Sequence, residues 1–172
     1  ERLAAERARE LGAAVVALGG EPDDIVRLEH PDGAVPGAGV LFDSTVRALV
    51  SLCLELDAAC LYVTSPADSH ADHRATAAIA DAVARRLPAL RLLHYPIWSR
   101  QRDPDWFEKA SSDVRAHRFP NAPWRAMKRR AIACHRSQLG EVVEDSVGFV
   151  LPPDMIERFT AEDEWFFEPP RR

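Results

Sequence analysis

Long apolar runs are missing from this sequence. No stretch approaches the ~18 to 20 consecutive apolar residues of a bilayer-crossing helix, and even Cys60–Val63 is hemmed in by Asp57 and Asp68. Cysteine is scarce: Cys53, Cys60 and Cys134 make an odd count with no CxxC pair, which predicts reduced, buried thiols rather than a metal or redox centre. No Gly-rich phosphate loop is present, so a doubly wound nucleotide binder lacks support. There is no internal repeat, and any targeting signal is expected to lie upstream of Glu1 with the segment missing there. A basic surplus is also absent. With 22 Lys+Arg against 27 Asp+Glu the formal net charge is -5, which argues against a nucleic acid held by its phosphates. These absences together predict a soluble, cytoplasmic protein with no membrane span.

What is present is a chain of 172 residues, 47% hydrophobic, long enough to bury a sizeable core and expected to form a single domain over 1–172. Leu3, Leu11, Ala14, Val15 and Leu18 recur at helical steps from Glu1 to Leu18, before Gly19-Gly20. Asp24–Glu29 alternates like a short strand and runs into the turn His30-Pro31-Asp32-Gly33. A second helix is expected over Leu41–Leu56, a buried strand over Ala59–Val63, an Ala-rich helix over Arg74–Leu87 and a strand over Leu90–Ile97. Residues Ser99–Pro123 are polar and irregular, with Trp106 and Phe107 as anchors. Trp124–Leu139 is expected to be a basic helix, solvated or paired with the acidic tail. From Val142 to Arg172 the aromatics Phe149, Phe159, Trp165, Phe166 and Phe167 suggest a covering strand or arm. The alternation predicts an α/β fold, a Rossmann-like layered α/β/α arrangement with a mostly parallel sheet. Ligands of such sheets sit beyond the carboxyl ends of the strands, where His30-Pro31-Asp32 and His70-Ala71-Asp72-His73 both fall.

The tetrapeptide His70-Ala71-Asp72-His73, between a strand and a helix, is the most informative short segment. Zinc takes neutral imidazole as a ligand and leaves one position open for water in catalytic sites. One histidine could serve that way, and the other could stabilise an oxyanion or protonate a leaving amine. A polar helix cap, with Asp72 in the first turn, is the bland alternative.

Four stretches resemble the PIG-L/LmbE-like family of zinc-dependent N-deacetylases. They are Arg7-Ala8-Arg9-Glu10 with Ala17-Leu18-Gly19, Glu29 to Pro36 around Pro31-Asp32-Gly33, His70 to Thr76 against the family's HPDHRAT, and Lys128 to Gln138 against K-x-x-A-x-x-x-H-x-S-Q. Their order and spacing cover roughly Arg7 to Gln138. The resemblance implies that His73 is a zinc ligand, His70 the non-ligand histidine that stabilises the oxyanion or acts as acid, and Asp72 the group that orients His70. It further implies that Arg7 and Asp32 face the hydroxyls of a sugar-like substrate. The implied activity is removal of an N-acetyl or N-acyl group, such as that of an N-acetylglucosamine unit, from an amino-sugar conjugate by zinc-activated water.

The family's first motif, His-Pro-Asp-Asp-Glu, which supplies the other ligands and the general base, has no match here. Glu21-Pro22-Asp23-Asp24 and His30-Pro31-Asp32-Gly33 resemble it but follow the Arg7–Glu10 helix rather than precede it. Because the chain opens at Glu1 inside a helix, the first strand and its neighbours are expected upstream. His94 is a conceivable further ligand, while His30, His117 and His135 read as structural, with His135 and Ser137-Gln138 bonding locally. The rival function is a non-catalytic sugar-binding relative of the same fold. A homo-oligomer is compatible with either.

Overall fold

The computed structural model describes residues 2–140 and 150–170. Its helices are α1 (Arg2–Ala17), α2 (Gly39–Glu55), α3 (Ala71–Arg86), α4 (Trp98–Arg102), α5 (Trp106–Ser111), α6 (Arg125–Ala133) and α7 (Pro153–Ala161). Its strands are β1 (Cys60–Thr64), β2 (Arg91–Tyr95), β3 (Arg115–Phe119) and β4 (Glu164–Glu168). The chain is α/β, and it divides into two compact units: the N-terminal stretch to Arg27 with Phe119–Glu164, and Leu28–Arg118 with the C-terminal stretch from Trp165.

The second unit holds the sheet, in the order β1-β2-β4-β3. β1 and β2 pair in parallel from Cys60↔Arg91 to Thr64↔Tyr95, whereas β4 runs antiparallel to β2 through His94↔Phe167. Within the expected covering strand or arm, β4 is thus a strand, interior to the sheet. Its aromatics still do the packing: Trp165 and Phe167 meet Phe107 and Trp106 of α5 edge-on, and Phe166 meets Tyr62 and Tyr95. Phe149 lies outside the described residues.

α3 buries Ala77, Ile79, Ala80, Ala82 and Val83, a broad face whose small side chains let the helix approach both α2 and the β1–β2 pair. Val46 and Cys53 of α2 close one cluster with Ile79, Val83 and Leu90; Val63, Ala80 and Leu92 form another against the sheet. Asp57, in the left-handed region at φ 47, turns the chain from α2 toward β1 while Ala58 N–H bonds back to the Cys53 carbonyl at 2.9 Å.

In the first unit α1 packs on α6, and α6 on α7. α1 ends in a Schellman motif: Gly20 N–H reaches the Val15 carbonyl at 3.0 Å, Gly19 N–H reaches that of Val16 at 3.0 Å, and Gly19 takes φ 90. A Cβ on Gly20 would stand 2.8 Å from Val15 Cγ1, so both glycines are required. The basic helix α6 pairs with the acidic C-terminal segment, as expected: Arg129 meets Glu157 at 2.7 Å and Lys128 meets Glu164.

Two expectations are corrected. Asp24–Glu29 is not a strand, because Pro22–Asp24 forms a 3-10 turn closed by Glu21 N–H on Asp24 Oδ2 (2.8 Å), and Glu29 adopts φ 55. Residues 99–123 are not irregular but contain α4, α5 and β3. The thiols are free, Cys53 buried and the other two half-buried. Among the described residues no helix is long and apolar enough to cross a membrane.

Candidate active site

The carboxyl ends of the parallel strands β1 and β2 open into loops 65–70 and 96–97, and one buried carboxylate joins them. Asp68, 1% exposed, accepts through Oδ2 from the N–H groups of Ile97 (2.9 Å) and Trp98 (2.8 Å), and through Oδ1 from His70 N–H (3.3 Å). Its Oδ2 also lies 3.4 Å from His73 Nδ1, a contact longer than a well-formed hydrogen bond but within ion-pair reach. Burial alone would raise this carboxyl's pKa; the contacts from His73, Ile97, His70 and Trp98 outweigh it and hold the group at about 2.

His70 is the N-cap of α3, and its Nδ1 accepts from Asp72 N–H at 3.2 Å. The helix therefore begins inside the His-Asp-His segment, three residues earlier than periodicity alone suggests. His70 and His73 lie with ring centroids 4.8 Å apart. Thr64 Oγ1 donates to the His73 carbonyl (3.0 Å), and Arg74 Nη1 donates to the carbonyls of Asp68 (2.9 Å) and Ser69 (2.7 Å), fixing the loop from both sides.

These contacts set the two rings differently. A nitrogen that accepts a hydrogen bond carries no proton, so neutral His70 has its proton on Nε2. His73 faces a carboxylate with Nδ1, which favours the proton there and leaves Nε2 as the lone pair. One donor and one lone pair thus come from adjacent imidazoles.

Asp72 corrects one reading. Its carboxylate does not orient the His70 ring; Oδ2 accepts from Gly33 N–H (2.7 Å) and Oδ1 from Val35 N–H (3.2 Å), while His70 meets only its backbone. The turn it grips carries Asp32, exposed beside Gly33 at φ 77 and closed by Ala34 N–H on the Pro31 carbonyl. Four of the expected residues, Asp32, His70, Asp72 and His73, are therefore tied together around the start of α3. Asp72→Ala is expected to lower stability by about 1 to 2 kcal/mol by leaving two amides without their acceptor, seen as faster hydrogen exchange at Gly33 and Val35.

Arg7 belongs to the first unit, half-buried on α1 one turn before Glu10. Glu10, 4% exposed, accepts from Ser137 N–H and Ser137 Oγ, both at 2.6 Å. Ser137 therefore bonds across 127 positions rather than locally, joining two of the stretches that carry the family resemblance.

Three further histidines lie outside that pair. His30 Nε2 meets Thr45 Oγ1 at 2.9 Å, and His117 Nε2 meets Glu168 at 2.7 Å. His94 is buried in the sheet, 3.8 Å from Asp81, and burial lowers its pKa. Asp81 lies eight residues past His73 on α3, ~12 Å along the axis, so His94 does not join the His70–His73 pair. Zinc sites use at least three protein donors. No three His, Cys, Asp or Glu among the described residues stand together to hold a metal. The donors that the described residues bring together therefore do not make a complete zinc site.

The class this geometry defines is an α/β fold with a histidine pair at the carboxyl end of its parallel strands. That fold is similar to the solved structure of the antimicrobial reagent A40926 pseudoaglycone deacetylase Dbv21, at a TM-score of 0.56 and 17% identity over 96% of this chain and 70% of that chain. No protein-family model matches the chain, and the comparison with curated proteins gives no match.

Proposed function

We propose that this chain is an amide hydrolase of the PIG-L/LmbE type, removing an N-acetyl or N-acyl group from an amino-sugar conjugate. The observation that carries the reading is the complementary setting of His70 and His73, with support from the fold likeness and the ordered motifs. His70 Nε2–H is the donor for the oxygen of the amide carbonyl as charge builds on it, a role suited to a ring held at its other nitrogen. His73 presents its Nε2 lone pair under the hold of Asp68, and zinc enters as the proposed partner of that nitrogen. Asp32 is proposed to accept from substrate hydroxyls at the turn that Asp72 fixes.

The test uses the protein purified without chelator, with zinc measured by elemental mass spectrometry and turnover on N-acetylated amino sugars. His70→Ala should keep the metal and lose about 10²-fold or more in kcat. His73→Ala should lose both. Unchanged metal content and turnover in the His73 variant would sink the proposal, and sugar binding with no turnover in the wild type would favour the non-catalytic relative.

A further inference from the structure

A second cluster of charge stands at the opposite end of the sheet, outside the reaction proposed above. β2 is five residues long, so its amino end lies roughly 13 Å from the histidine pair's end. There Arg91 forms a two-point pair with Glu168, Nε to Oε1 at 2.9 Å and Nη2 to Oε2 at 3.0 Å, and His117 Nε2 meets the same Oε2 at 2.7 Å. The three residues come from β2, β4 and β3, and they line a cleft of about 590 Å³ with Arg115, Asp113 and the Pro169-Pro170 wall. That volume falls within the range of small-molecule sites.

A cross-strand ion network would account for Arg91, Glu168 and His117 alone. It does not account for Arg115, which is exposed and makes no ion pair or hydrogen bond among the described residues. Arg115 lies two positions before His117 on β3 and so shares its face. Arg91 Nη1 and His117 Nδ1 likewise have no partner among the described residues. Glu168, held at about 2 chiefly by Arg91 against its partial burial and further by His117, stays ionised and fixes both neighbours in place. Two guanidiniums with unspent donors and an imidazole nitrogen thus line one cleft.

We propose that this cleft binds the phosphate group of a small phosphomonoester. A guanidinium matches a phosphate with paired N–H donors, and the Arg91 side chain is already immobilised by Glu168. His117 Nδ1 can donate to a phosphate dianion as imidazolium or accept the proton of a monoanion. The two prolines offer an apolar wall to the organic part of the ligand.

The probe is inorganic phosphate, titrated into the full chain by calorimetry, with the His117 ring followed by NMR. Saturable binding is expected, weakened about tenfold or more in Arg115→Ala and changed less than about twofold in Arg47→Ala, which removes an exposed arginine from α2. Absence of saturation, or equal weakening in the two variants, would overturn the assignment. So would acetate binding as tightly as phosphate, which would make the site one for carboxylates. Deacetylation plays no part in these readouts, so they stand or fall apart from the reaction.

Discussion

Asp68→Ala is expected to lower stability by about 3 kcal/mol, a fall of roughly 10 °C in the thermal midpoint. Three backbone amides, those of His70, Ile97 and Trp98, would lose their acceptor in a buried place, and His73 would lose its carboxylate. Asp68→Asn should be milder, because an amide oxygen can still serve Ile97 and Trp98 while its NH2 group opposes the His70 N–H. The wild-type carboxyl, held at about 2, lies below the ordinary carboxylate value near 4. Its contribution, about 2 kcal/mol, is therefore complete above pH ~4 and is lost as the pH falls toward 2. Urea unfolding between pH 2 and 5 should show that slope in the wild type and a shallower one in the Asn variant. Equal slopes would mean that Asp68 is not the group responsible.

Glu10→Ala should cost a similar amount, about 3 kcal/mol, for the same physical reason in the other unit. Ser137 N–H and its hydroxyl would both be left buried without the carboxylate. Glu10→Gln offers a sharp contrast. Its carbonyl oxygen can accept from the amide while its NH2 donates to Ser137 Oγ, so most of the stability should return. Chemical denaturation of the three proteins checks this, and a Gln variant as unstable as the Ala variant would show that the negative charge itself is required.

Elements built on apolar periodicity were legible in the sequence: α1, α2, α3, β1 and β2 fall within a few residues of their expected positions. β3 was not, because Arg115–Phe119 has no apolar alternation and meets its neighbour through the charged pair His117–Glu168. The 24–29 segment alternates like a strand, yet side-chain bonds close a turn there instead. At the site, the histidines stood out by spacing, whereas Asp68 did not. A lone aspartate in Ser65-Pro66-Ala67-Asp68 reads as an ordinary turn residue, and its partners at 97 and 98 are backbone groups that no side-chain pattern reveals. The partners of the Asp72 carboxylate are again two backbone amides, far off in sequence.

The strand order β1-β2-β4-β3 has a bearing on how the protein is made. β3 is synthesised before β4 yet lies beyond it in the sheet, so on the ribosome it has no docking place until residues 164–168 have left the exit tunnel. β1, α3 and β2 can assemble early, whereas closing the β2–β4 register joins positions 94 and 167. Such a late, long-range closure slows folding and leaves the flank of β2 exposed to chaperones in the interval.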